Sequence, residues 1–249
     1  MSGHNKWSTI KHKKGRTDAA RGKLFTKLIR EIVVATRSGG RDTEGNSRLR
    51  SAIIAARGAN MPKDTIDRAL KRGAGEVDGE TYEELTYEGY GPGGVAFFLE
   101  TLTSNRNRTV AEVRHAFNKR GGNLGTDGSV AWMFERRGLV GVSTDGTDFD
   151  ALFEAAVDAG ADDVEAGEPI HAVYCEFGEL HEVTAGLETA GFNIVESKPV
   201  RIATNTIAVS GSMAEKTLKL MEVLDDHDDV QNVYINADIS DEEMERIMG

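Results

Sequence analysis

The amino-acid sequence predicts an α+β protein: an N-terminal three-helix domain followed by two α/β domains, one inserted into the other. Three observations carry that expectation. Residues 1–75 hold 18 Lys and Arg against 6 Asp and Glu, whereas the rest of the chain holds 12 against 35. A module of charge +12 therefore precedes a body of −23, with the boundary near Gly73-Ala74-Gly75. Up to that boundary apolar residues recur at helical spacing, and beyond it strands alternate with helices. In the middle of the body, residues 138–200 contain a strand-helix-strand-strand-helix-strand set, the ferredoxin-like order.

Each element has its own signal. Leu24, Phe25, Leu28, Ile29, Ile32 and Val33 form one buried helical face, ended by Gly39 and Gly40. Projected at about 100° per residue, Lys23, Lys27, Arg30 and Arg37 fall together on the opposite side as a positive stripe. A second helix is capped by Asn46 or Ser47 and buries Leu49, Ala52, Ile53 and Ala56. The third begins around Pro62, a residue favoured at the first helical position, and runs through Ile66, Ala69 and Leu70 to Gly73. Three short helices with short connections make a small bundle.

After Gly75, Val95–Leu102 reads as a strand, Thr109–Lys119 as a helix opened by a Thr109/Glu112 capping box, and Ser129–Phe134 as a second strand. The central set comprises strand Leu139–Val142, helix Phe149–Ala159, strands Asp163–Glu165 and His171–Phe177, helix Glu179–Ala190 and strand Asn193–Ser197. A further strand-helix-strand follows in Val200–Val209, Ala214–Leu224 and Val230–Asn236, then a short helix capped by Ser240 with Glu243. The simplest assembly joins the two outer pieces. The expected domains are 1–75, basic arm and helices; 76–136 plus 201–249, a discontinuous ferredoxin-like domain; and 137–200, the inserted ferredoxin-like domain.

Composition excludes several classes. The 249-residue chain has a net charge of −11, 39% apolar and 29% charged residues, and no run of the ~18 apolar residues that span a bilayer, so no membrane partner is expected. The N-terminus lacks an apolar signal region, its glycine stands at position 3 rather than 2, and its basic stretch runs into a helix as a cleaved transit peptide would not. Cys175 is alone, which rules out an intramolecular disulfide and suits a reducing cytoplasm.

Most chemical motifs fail on context. Gly89–Gly94 (GYGPGG) matches a dinucleotide fingerprint, but it precedes a strand instead of following one and opening a helix, and so reads as a tight turn. His171 and Cys175 stand four residues apart on a strand, about 13 Å, too far to share one zinc ion. DDHDD (Asp225–Asp229) lacks the spaced oxygens of a calcium loop and reads as a solvated helix terminus and turn. With no nucleophile elbow, phosphate loop or zinc-protease signature, no catalytic residue, metal or cofactor is expected, and the chain reads as a non-enzyme.

Two basic features remain. Arg106 and Arg108 in SNRNRTVAEVRH sit at a strand-to-helix loop, where guanidinium forks and free helix N–H groups can hold an anion; the alternative is an internal bridge to Asp or Glu. The opening GHNKWSTIKHKKGR has no sustained apolar period. Its Lys6, Lys11, His12, Lys13, Lys14 and Arg16 suit phosphates, and Trp7 suits stacking on an exposed base or anchoring against its own bundle. Continued by Arg21, Lys23, Lys27, Arg30 and Arg37, the arm and stripe form the expected nucleic-acid-binding surface.

The segments GHNKWSTIKHKKGRTDAARGKLFTKLIREI, NMPKDTIDRALKRG, YEGYGPGGVA, LTSNRNRTVAEVRHAFNKRGGNLG and GSVAWMF together closely resemble the YebC family over essentially the whole chain. Asn5 replaces the family's usual Ser. The resemblance implies a cytoplasmic protein with a helical N-terminal domain, two α/β domains and no known enzymatic activity. It also brings two functional pictures: DNA-binding regulation of transcription, and action on the ribosome, including relief of stalling at proline runs. Since no clear helix-turn-helix signature is present and a flexible arm of Lys, His, Gly and Trp suits folded RNA, the ribosome is favoured. The expected partners are thus nucleic acid, either ribosomal RNA in the ribosome or DNA, with a protein partner for the acidic body. A protein-interaction or small-ligand-sensing regulator is the alternative of another class.

Overall fold

The computed structural model describes residues 18–248. It has an N-terminal helical region followed by mixed α/β sheets, in agreement with the α+β expectation. Among the described residues two compact units form: Glu80–Glu135 with the chain from Ile202 onward, and the chain up to Gly79 with Arg136–Arg201.

Helices α1 (Asp18–Gly39), α2 (Ser47–Gly58) and α3 (Lys63–Gly73) come first, with α1 packed against both others. Their core is Ile32, Val33, Ala35, Leu49, Ala52, Ile53, Ala56, Ile66 and Ala69. Asn46 joins the first two. Its Oδ1 accepts from the Leu49 amide at 3.0 Å, and its Nδ2 donates to the carbonyls of Ala35 and Gly40 at 2.8 and 2.9 Å. One side chain thus caps the start of α2 and satisfies carbonyls at the end of α1. Pro62 is itself the cap of α3, which begins one residue later than its sequence suggests.

The acidic body opens with a hairpin, β1 (Glu83–Tyr90) and β2 (Ala96–Thr103), then α4 (Arg106–Lys119) and the short β3 (Asn123–Leu124). Strand β1 was not expected. Gly91 to Gly94 forms its turn, with Gly93 and Gly94 at φ +74° and +78°, and leads into a strand and not a helix, the context that excludes a dinucleotide loop. Helix α4 starts at Arg106, three residues early, because Asn105 and not Thr109 is its cap: Asn105 Oδ1 accepts from the Arg108 amide at 3.1 Å. The segment Ser129–Phe134, expected to be a strand, instead makes a single 3-10 turn at Ala131–Met133.

Strand β4 (Phe134–Ser143) begins the central set, followed by α5 (Phe149–Asp158), β5 (Asp163–Glu165), β6 (Ile170–Glu176), α6 (Leu180–Thr189) and β7 (Ile194–Ala203). The sheet order is β5-β6-β4-β7, with β4 and β5 both antiparallel to β6. Val140, Val142, Leu152, Ala156, Val173, Cys175, Val183 and Leu187 make its core. Strand β7 merges two expected strands through Pro199. Proline is tolerated there because β7 is an edge strand and that residue faces solvent. An ideal Cβ on Gly58 would lie 2.4 Å from the Val195 carbonyl oxygen, so the end of α2 meets the β7 backbone where only glycine fits.

Strand β8 (Ile207–Ala208), helix α7 (Gly211–Asp225), β9 (Val230–Ile235), β10 (Ala237–Asp238) and α8 (Asp241–Met248) complete the chain. The expected strand Val200–Val209 is thus divided between β7 and β8. In the first unit the order is β3-β1-β2-β9, all neighbours antiparallel, beside a two-stranded parallel β8/β10 pair. Phe117 of α4 packs edge-on against Phe97 of β2, with ring centroids 5.6 Å apart.

Candidate nucleic-acid interface

The arm residues Lys6, Trp7, Lys11, His12, Lys13, Lys14 and Arg16 lie outside the described residues. Of the helical stripe, Lys23 and Arg37 are exposed and Arg30 is half-buried; Arg21, expected beside the stripe, is exposed on the Phe25 side of the helix. The Arg21 guanidinium carbon sits 5.6 Å from the Phe25 ring centroid, a cation–π distance. Lys27 departs from the helical projection: only 8% of it is exposed. A lysine so enclosed presents little charge to a phosphate, and the open stripe is carried by Lys23, Arg30 and Arg37.

Other cations of the +12 module differ in their surroundings: Arg50 lies 3.7 Å from Glu44, and Arg72 is half-buried. Arg48 donates to Glu31 at 2.6 and 3.1 Å, and Arg41 pairs with Glu76, so their charge is answered internally. Arg57, Lys63, Arg68 and Lys71 on α2 and α3 are exposed as well. These four are further candidates beside those expected. Their signal was present in the module's net charge but not in the periodicity of any single helix.

The second expected site resolves into an internal network. Arg108 donates to Asp229 Oδ2 at 2.8 Å, and the same oxygen lies 2.7 Å from the Thr109 hydroxyl and 3.2 Å from that of Thr103. Asp229 is only 1% exposed; its amide donates to His227 Nδ1 at 3.1 Å and its carbonyl accepts from Leu102 at 2.8 Å. His227 Nε2 lies 2.7 Å from Glu112. The hydrogen bond to Asp229 pushes the Arg108 pKa up, fixing the charged form. Of the two alternatives for Arg108, the internal bridge is the one present. Arg106 stays exposed, close enough to Tyr87 to oppose the burial that raises that phenol's pKa. DDHDD likewise differs from a solvated turn, since Asp229 is its buried keystone.

Glu88 builds a third feature. It is 4% exposed, and its carboxylate accepts from the amides of Gly128, Val130 and Ala131 at 2.7, 2.7 and 2.8 Å. The Glu88 carbonyl also accepts from Gly125, and the Tyr90 hydroxyl donates to the Ser129 carbonyl. This clamp holds a loop that displays Trp132, 66% exposed, with its Nε1 donating to Ser129 O at 3.2 Å.

Among the described residues no group of three His, Cys, Asp or Glu is placed to hold a metal ion, and no helix is long and apolar enough to cross a membrane. His171 is a buried side chain whose Nδ1 accepts from the Gly167 amide at 3.3 Å. Cys175 is buried, and that burial pushes its thiol pKa up to about 11.

Comparison with known proteins covers nearly the whole chain. The model of the TACO1/YebC N-terminal domain matches residues 5–76, and that of the TACO1/YebC second and third domains matches residues 82–237. A protein of Acidithiobacillus ferrooxidans named "Probable transcriptional regulatory protein" is 60% identical over 99% of this chain and 98% of its own. A protein of the same name from Geobacter sp. strain M21 is 54% identical over the full length of both. The crystal structure of a conserved hypothetical protein from Aquifex aeolicus superimposes with a TM-score of 0.84 at 48% identity, over 90% of this chain and 93% of that one.

Proposed function

The chain belongs to the TACO1/YebC family, and from that premise we propose that it is a non-enzymatic regulator of gene expression that binds nucleic acid through its N-terminal module. The favoured target is RNA in the ribosome, which makes it a translation factor. The observation that carries this reading is the charge partition, +12 within residues 1–75 against −23 in the remainder. A basic face attracts phosphates while an acidic body repels them, so the polyanion is met in one orientation.

A second reading, DNA-binding control of transcription, is favoured by the names of the bacterial relatives. Binding to purified ribosomes and to duplex DNA across a salt series separates the two. On the favoured reading ribosomes bind more tightly, and replacing Lys11, Lys13, Lys14 and Arg16 by Ala lowers the slope of log affinity against log salt by about 3. Unchanged affinity and slope for both targets in that variant would defeat the basic-module reading. Crosslinking in cells followed by sequencing distinguishes ribosomal RNA from promoter DNA.

A further inference from the structure

The acidic body contains a surface that charge alone does not explain. From Gly138 to Ser197 the sequence has fourteen Asp or Glu and no Lys or Arg. Within that span, α5 buries Leu152 and Ala156 completely. Its opposite face carries Asp150, Phe153, Glu154, Val157 and Asp158, at the i, i+3, i+4, i+7, i+8 spacing of a single helical stripe. Phe153 is 48% and Val157 54% exposed, and with Glu154 and Asp158 they line a shallow open hollow.

Asp150 in the first turn suits the helix dipole, but the rest of the stripe works against its own helix. Asp150 with Glu154, and Glu154 with Asp158, are like charges four residues apart, which repel across one turn. Asp158 stands at the C-terminal end, where the helix dipole disfavours an anion, and no basic residue occupies that last turn. Between the acids, two large apolar side chains face water. Each of these costs is removed by the same kind of neighbour, one that brings cations to the three carboxylates and apolar groups to Phe153 and Val157.

We propose that the outer face of α5 is a docking surface for a Lys/Arg-rich amphipathic helix of a protein partner. Nucleic acid is excluded as the occupant by the sign of the charge. Apolar side chains of the partner helix cover Phe153 and Val157, while its flanking cations meet Asp150, Glu154 and Asp158, the hydrophobic-groove mode with an electrostatic rim. The surface is separate from the basic module, and the inference stands or falls independently of the nucleic-acid reading.

The test uses the full chain and no nucleic acid. A fluorescently labelled amphipathic Leu/Lys peptide of about 18 residues, five helical turns, is titrated in low and moderate salt beside a scrambled peptide of identical composition. The amphipathic peptide is expected to bind, with affinity about tenfold weaker in the pair Phe153→Ser/Val157→Ser and again in the triple Asp150→Asn/Glu154→Gln/Asp158→Asn. Circular dichroism verifies that both variants keep the fold. Equal binding of the scrambled peptide, no binding, or binding indifferent to both variants would overturn the proposal. So would sedimentation showing that the chain self-associates through this face, since the occupant would then be a second copy.

Discussion

Replacing Glu88 tests how one buried carboxylate shapes the loop that carries Trp132. In Glu88→Ala three amides lose their acceptor. Val130 is fully buried, and its orphaned N–H costs about 1–3 kcal/mol. The Ala131 and Gly128 amides are partly or wholly within reach of water and lose less, while release of a desolvated carboxylate offsets part of the total. The balance is a loss of about 2–4 kcal/mol, which lowers the melting temperature by roughly 5–15 °C for a chain of this size. Glu88→Gln is milder, about 1–2 kcal/mol, because its one carbonyl can still accept from Val130 and Ala131 and leaves its NH2 opposed to the exposed Gly128. In a Trp7→Phe background, urea unfolding followed by Trp132 emission reports on this loop directly. A Glu88→Ala unfolding free energy within about 0.5 kcal/mol of the parent, with unchanged hydrogen exchange at Gly128, Val130 and Ala131, refutes the clamp.

Three further outcomes are expected. Asp229→Ala leaves two buried threonine hydroxyls without their acceptor, and Arg108→Ala leaves the 1%-exposed Asp229 carboxylate without its counter-ion, so each costs about 1–3 kcal/mol in denaturant unfolding; a loss below about 0.5 kcal/mol in both would contradict the central place given to Asp229. Gly138→Ala sets a Cβ 2.6 Å from Cys175 Sγ and destabilises by about 1–3 kcal/mol, with part of the loss recovered in the double variant with Cys175→Ala; simple additivity in a thermal melt counts against that contact. The folded state holds the Cys175 proton more tightly than the unfolded chain does, since burial raises its pKa from 9.0 to about 11. The stabilisation is therefore complete below about pH 9 and fades as pH rises towards 11; Cys175→Ala should lack that slope, and alkylation of the native thiol at pH 8 should be far slower than in urea.

Much of the fold was legible because it rested on local patterns. The Asn46 cap, the apolar faces of α1 to α3 and the strand-helix order from β4 to β7 follow from spacing and turn residues. The misses share a cause, a distant group overriding a local signal. Strand β1 alternates only briefly, Leu85 and Tyr87 around Thr86, and its two buried positions are Glu88 and Gly89, neither of which carries an apolar signal. The run VAWMF looks like a strand, but Glu88 takes the amides of Val130 and Ala131 and winds it into a 3-10 turn. Thr109 resembles a cap, yet its hydroxyl is drawn to Asp229, 120 residues away, leaving the cap to Asn105. In the candidate interface, helical projection puts Lys23, Arg30 and Arg37 on one face of α1, but the burial of Lys27 depends on tertiary packing that a single-helix projection omits. The partner of Arg108 was likewise a choice between an external anion and an internal acid that local sequence leaves open.

The absence of cations from Gly138 to Ser197 has a chemical consequence of its own. Trypsin, which cuts after Lys or Arg but not before Pro, opens even the unfolded chain at Arg137 and next at Arg201, because Lys198 precedes Pro199. Acetylation and methylation, which tune basic surfaces, find no lysine amine anywhere in that span. Its negative field is therefore untouched by lysine chemistry, and a partner drawn to it meets the same carboxylates whatever the cell does to lysine.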